Sequence, residues 1–267
     1  MSRQNWNELP ATVRAAVRAR TGPLRGVELV DSGFSSQFAA TLETEDGRVF
    51  VKGVLQSGSL SWTHQREADI NPYVVPLGPR LLWRVTVDGW DLLGFEYLDG
   101  RGADYSPGSA DLPLVVEVMT EAGRLTAADV EIADAAERWA DCLDGPADAA
   151  LLSGDTLLHT DWFHTNVFIT GPDSARLIDW AWPTRGAAWI DPACWTVWLI
   201  FAGHSPHEAE QWAGKVPAWS AADPGALDLG ATVLARYWQH TADEHSNDWT
   251  HRLRAAAARW AAHRNEV

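Results

Sequence analysis

The sequence predicts an α+β chain in two parts: a small antiparallel sheet with one packed helix in residues 1–98, and a mostly helical part in residues 99–267. Five strand-like runs lie in the first part, at Arg25–Val30, Phe38–Glu43, Arg48–Val54, Arg80–Val87 and Trp90–Leu98. Two neighbouring pairs of them are joined through Asp46-Gly47 and Asp88-Gly89, the dipeptide that most favours a tight hairpin. The segment Asp99–Ala110 is polar and rich in Gly and Pro, as a crossover should be, and from Asp111 onward apolar residues return at helical spacing.

The helices follow in order. Leu9, Val13, Ala16 and Val17 mark one face of a helix over Asn7–Arg20, with Pro10 tolerated in its first turn and Thr21-Gly22-Pro23 ending it. A second helix is predicted over Ser61–Asn71, stopped by Pro72. Thr126 and Asp129 have the spacing of a capping box, predicting a helix that carries Ile132, Ala135, Trp139, Cys142 and Leu143 and ends near Asp144-Gly145-Pro146. Asp191 is expected to N-cap a helix running through Phe201, and two further helices are predicted over Ala226–Gln239 and Arg252–His263. Between them, Asn166–Thr170 and Ala175–Ile178 flank Gly171-Pro172-Asp173-Ser174 and should form a hairpin.

Composition narrows the function classes. At 267 residues, with 46% hydrophobic and 21% charged residues, the chain can remove roughly 70–75% of its unfolded surface from water and is not a disordered one. Met1–Pro10 lacks the apolar core of a signal peptide and the longest apolar run, Trp195–Ala202, is too short to span a bilayer, so a cytoplasmic protein is expected. Cys142 and Cys194 have no metal or redox spacing and are expected as buried thiols. A net charge of −15 would repel nucleic-acid and anionic lipid phosphates, which argues against both as partners. The nine histidines show no zinc-ligand spacing, and the tryptophans from Trp195 onward are expected mainly in the core.

A few residues carry chemistry. Lys52 is one of two lysines, the other being Lys215, and strand alternation turns it inward with Phe50, where an ammonium needs an anionic partner. The competing reading is an edge-strand lysine that reaches solvent along its stem. Asp31-Ser32-Gly33-Phe34-Ser35-Ser36 joins two strands with hydroxyl and N–H donors suited to phosphate, although Ser and Gly fill ordinary turns equally well. Asp161, Asn166 and Asp179, grouped around the second hairpin, are hard oxygen donors of the kind Mg²⁺ shares with phosphate.

The series His159-Thr160-Asp161, Asn166 five residues later, then Ile178-Asp179-Trp180 resembles the catalytic and metal-binding segments of the aminoglycoside phosphotransferase and choline kinase family, and Gln65-Arg66-Glu67-Ala68 resembles that family's first-lobe helix. The resemblance implies a two-lobed protein-kinase-like fold and transfer of a phosphoryl group from ATP to a hydroxyl of a small molecule, an aminoglycoside or other antibiotic or amino alcohol. It implies Asp161 as the catalytic residue that orients the hydroxyl, Asn166 and Asp179 as Mg²⁺ ligands, and Asp191, beside its expected place as a helix cap, as a brace of the catalytic loop. Ser35, Ser36 and Lys52, with Glu67 as the lysine's partner, would hold phosphates, and backbone groups of Glu96 and Leu98 would hold the adenine edge. The chain departs from the family pattern at Thr160, where Gly is common, and at Phe163, where a basic residue is frequent and His164 follows instead. No Ala-Pro-Glu follows Asp179, which argues against a protein substrate. A catalytically silent nucleotide- or metabolite-binding protein is the alternative.

Overall fold

The computed structural model describes residues 3–30, 36–126 and 129–266. By internal contacts the chain forms two compact units, one of Met1–Asp99 with Asp179–Trp182 and one of Gly100–Ile178 with Pro183–Val267.

In the first unit β1 (Gly26–Leu29), β2 (Phe38–Glu43), β3 (Arg48–Leu55), β4 (Leu81–Val87) and β5 (Trp90–Glu96) form an antiparallel sheet in the order β1-β2-β3-β5-β4. The β4–β5 turn has Asp88 at φ 51° and Gly89 at φ 75°, the paired positive values that match the twist of the strands it joins. The β2–β3 connection is looser. Glu43 pairs with Arg48, and within the loop the Thr44 N–H and hydroxyl both donate to the Gly47 carbonyl at 2.8 Å. Gly94 is needed for a different reason: a Cβ there would fall inside the Trp83 ring.

Helix α1 (Ala11–Thr21) starts later than predicted, because Pro10 is extended at φ −50°, ψ 146° and takes the N-cap place behind one 3₁₀ turn at Trp6–Glu8. Its Val13 and Val17 join Trp6, Leu9, Phe38, Ala40, Leu42, Val51, Trp90 and Leu92 in one core, each large side chain worth roughly 1.5–3 kcal/mol on burial. Helix α2 (Ser61–Val74) runs through Pro72 rather than stopping at it. The proline forfeits one intrahelical bond, but Ile70 and Val74 bury the same face and hold the last turn.

The second unit begins with β6 (Arg101–Gly102) and a crossover fastened by Arg101, which donates twice to Asp111 at 2.5 and 2.9 Å. Helix α3 (Leu112–Ala122) follows. The helix expected from Thr126 to Leu143 is instead β7 (Ala133–Asp134), the single turn α4 (Ala135–Arg138) and a 3₁₀ turn at Ala140–Cys142, with Ala127 and Ala128 outside the described residues. After β7 the chain turns into α4 with a capping box of Asp134 and Glu137, so the helix start lies eight residues beyond Thr126. Next come α5 (Pro146–Leu152), β8 (Thr156–Leu158), β9 (Val167–Gly171), β10 (Ser174–Leu177) and β11 (Thr184–Gly186). They make two small sheets, β10-β9-β6 and β7-β11-β8, and β9–β10 is the hairpin predicted around Pro172-Asp173.

Helices α6 (Ile190–Phe201), α7 (Pro206–Ala213), α8 (Pro217–Ser220), α9 (Pro224–Glu244) and α10 (Asp248–Glu266) complete the unit. Every residue of α6 from Ile190 to Ile200 is buried, as its all-round apolar sequence requires, and α10 packs on it and on α9. Trp195, Trp198, Trp219 and Trp260 lie in the core, whereas Trp249 is 36% exposed. Both cysteines are free and buried, and burial pushes both thiols up, away from nucleophilic use. Among the described residues no helix is long and apolar enough to cross a membrane.

Candidate active site

Strand β3 carries Lys52 opposite Ala39 and Leu93, in a stretch where Val51 to Val54 are all buried. An ammonium there must be compensated. Its Nζ lies 2.5 Å from the Glu67 carboxylate on α2 and 2.8 Å from Oδ1 of Asp179, and 5.7 Å above the Phe95 ring. The snorkelling alternative for Lys52 therefore fails, since its side chain is 7% exposed. Burial works against the ammonium, but Asp179 and Glu67 outweigh it and raise the lysine above its ordinary range. Burial also pushes the Glu67 carboxyl up to about 7 against the pull of Lys52. The two shifts act oppositely on the charge of that pair; the bond to Asp179 keeps Lys52 charged in either state of Glu67. Asp179 itself sits at φ 61°, a left-handed conformation that Asp adopts more readily than most residues.

In the second unit the segment between β8 and β9 is gripped from beneath by Asp191. Its buried carboxylate accepts the His159 N–H at 3.0 Å and the Thr160 N–H at 2.8 Å. Asp191 is thus not the cap of α6, whose N-cap is Trp189; it is the helix's second residue, and its oxygens serve another segment. Burial raises its pKa to about 6, the two N–H bonds opposing that rise. The Asp161 N–H donates to His159 Nδ1 at 3.3 Å, so the ring proton is on Nε2, which donates to the Ile178 carbonyl at 2.9 Å. Thr160 is held at φ 65°. Its hydroxyl donates to the His159 carbonyl at 2.7 Å and accepts from Arg138 at 2.6 Å.

Asn166 meets Asp161 directly. Its Nδ2 donates to the Asp161 carboxylate and carbonyl, both at 3.0 Å, and its own N–H closes a turn onto Phe163. The amide cannot be reversed without setting its oxygen against the carboxylate, so Oδ1 points away, with no donor to it among the described residues. That oxygen and the Asp179 carboxylate suit Mg²⁺ in donor type. Among the described residues no three or more His, Cys, Asp or Glu are grouped so as to hold a metal. Phe163, two residues past Asp161, packs its ring 4.9 Å from that of Trp198 and 6.3 Å from that of Trp249.

Neither a protein-family model nor a curated protein sequence matches the chain. Solved structures do. Choline kinase LicA from Streptococcus pneumoniae superposes with a TM-score of 0.64 at 11% identity, over 94% of this chain and 98% of that one. A thermostable mutant of aminoglycoside phosphotransferase APH(4)-Ia gives 0.62 at 14%, over 94% and 97%. Aminoglycoside phosphotransferase APH(3'')-Id from Streptomyces rimosus, solved with ADP and streptomycin, gives 0.58 at 15%, over 81% and 94%. The chain has the fold of these kinases. At such identities the likeness is one of backbone, and the chemistry rests on this chain's own side chains.

Within this kinase-like fold the residues singled out in the sequence fall into two groups. Lys52, Glu67 and Asp179 are in contact in the first unit; Asp161 and Asn166 are in contact in the second. Glu96 ends β5 with its N–H donating to the Arg80 carbonyl, and the Leu98 N–H has no acceptor among the described residues. Ser36 is buried at the entry to β2, while Ser35 and the rest of the Asp31–Ser35 turn lie outside the described residues. Sequence reasoning missed Arg138, which reaches the Thr160 hydroxyl from 22 residues earlier in the chain, and Thr184, which accepts from the same Arg138 nitrogen 46 residues further on. No short-range spacing signals such a pairing.

Proposed function

We propose that this protein is a small-molecule kinase, transferring the γ-phosphoryl group of ATP to a hydroxyl of its substrate. The observation that carries the reading is Lys52, a buried ammonium with two carboxylate partners of different kinds. Glu67 steadies it, and Asp179 shares it while keeping a carboxylate suited to a metal. Residues 1–98 would bind the nucleotide, with Lys52, Ser35 and Ser36 toward its phosphates. The backbone groups of Glu96 and Leu98 would meet the adenine edge. Residues 99–267 would bind the acceptor.

Asn166 and Asp179 would hold Mg²⁺, which when bound neutralises charge on the transferred group. Asp161 aims the acceptor hydroxyl and takes its proton as the new O–P bond forms and the bond to the ADP oxygen breaks. Its carboxylate is turned by the Asn166 amide, and its backbone by His159 and Asp191. The transition state is loose, so aim counts for more than basicity.

The net charge of −15 favours an aminoglycoside or another amine-bearing alcohol, and Phe163, two residues past Asp161 and only half-buried, offers an aromatic face that attracts a cation. A cytoplasmic location agrees with the need for ATP and with the two free thiols. The test is ADP release with ATP and Mg²⁺ against a panel of aminoglycosides, amino alcohols and sugars. Asp161→Ala should lower turnover by about a thousandfold or more while ATP still binds, whereas Lys52→Ala should weaken both. Unchanged turnover in Asp161→Ala would refute the assignment.

A further inference from the structure

We infer that Arg138 is a positioning residue for Asp161, acting through the hydroxyl of Thr160. The inference rests on the kinase reading for its kinetic consequence and on geometry alone for the rest. Thr160 directly precedes Asp161 and stands at φ 65°, where its β-branched side chain is strained and a glycine would not be. What threonine brings that glycine lacks is the hydroxyl. Its single proton is committed to the His159 carbonyl at 2.7 Å, which leaves the oxygen as an acceptor for Arg138, 2.6 Å away.

Arg138 is itself well placed to hold something. It is the last residue of α4, whose first turn is closed by the Asp134 and Glu137 capping box. The strand before it, β7, pairs with β11 in the register Ala133 to Thr184, and the Thr184 hydroxyl, fully buried, accepts from the same Arg138 nitrogen at 2.7 Å. The guanidinium also lies 5.3 Å over the Trp139 ring. A planar donor fixed by a hydroxyl and a ring on its own element and on β11 therefore meets the strained residue of the catalytic loop. Asp191 binds that loop through the backbone N–H groups of His159 and Thr160. Arg138 supplies the side-chain restraint that keeps Thr160, and with it the aim of Asp161, in a conformation threonine disfavours.

The test is a double-substitution series read in kcat, in KM for ATP, and in amide exchange at His159–Asp161. Arg138→Met should lower kcat by about tenfold or more, with KM for ATP changed less than about twofold, because aim rather than nucleotide binding is lost. Thr160→Val, which keeps the branching and removes the hydroxyl, should do the same, and Thr160→Ser should keep full sensitivity to Arg138. In a Thr160→Gly background Arg138→Met should cost no more than about twofold, since glycine needs no restraint there. Equal losses in the two backgrounds would overturn the inference, as would a loss seen in KM alone. If the wild-type chain phosphorylates no acceptor, the kinase reading fails by itself. Amide exchange then decides: Arg138→Met must speed it in the Thr160 chain and leave it unchanged in the Thr160→Gly chain, and any other pattern rejects the role of Arg138.

Discussion

Glu67 and Asp191 are both buried carboxylates that fix a candidate functional group, yet they do so by different physics. Glu67 faces a full positive charge, Lys52, which Asp179 also claims. Asp191 faces no ammonium at its two bonds; it accepts two backbone N–H groups, those of His159 and Thr160. Burial raises both pKa values, to about 7 and about 6. The first arrangement holds a side chain by charge and can be unbalanced by one proton. The second holds a stretch of main chain by dipoles, with one carboxylate oxygen for each N–H group.

Substitutions should separate the two. The largest effect is expected from Lys52→Ala, which leaves the buried Glu67 carboxyl and the partly exposed Asp179 carboxylate without their shared cation and should cost about 3–5 kcal/mol of folding stability in urea titration. Asp191→Ala leaves two buried N–H groups without acceptors and should cost about 2–4 kcal/mol, with fast amide exchange confined to His159 and Thr160. A larger loss for Asp191→Ala than for Lys52→Ala would break the comparison, because dipoles would then outweigh charge.

The effect smallest per step of the measurement is a pH dependence. Glu67 is raised from 4.5 to about 7 in the folded chain, so between those values the folded state binds more protons than the unfolded one. Its contribution to stability is therefore present below pH 4.5 and is lost as pH rises toward 7, at no more than about 1.4 kcal/mol per pH unit. Subtracting Glu67→Gln from wild type at each pH isolates this slope. A flat difference would mean that Lys52 keeps Glu67 ionised throughout and that charge pairing wins over burial.

Much of this was legible along the chain because it is local. Phe38–Glu43 was read to the residue, and the Asp88-Gly89 and Pro172-Asp173 hairpins form because two adjacent residues set the turn. The contact of Asn166 with Asp161 is likewise short-range. The misreadings came where packing overrode a local signal. Pro72 does not end its helix because Val74 is buried beyond it, and Thr126 starts no helix through Leu143 because Ala133–Asp134 pairs with β11 instead. Of the two expectations for Asp191, the cap fails because Trp189 takes that place, while the brace agrees with its bonds to His159 and Thr160.

By itself, then, the sequence determined which strands and turns form and which side chains are chemically able to handle phosphate, a hydroxyl proton and a hard cation. Those properties reside in single residues and their near neighbours. Only the tertiary structure decided that Lys52 shares Asp179 across 127 residues, which main-chain groups 31 and 32 residues before it Asp191 holds, and that Arg138 meets Thr160. Each of these is a bond between distant parts of the chain, and its partner is chosen by which groups burial leaves to be satisfied, a condition that exists only once the chain has folded.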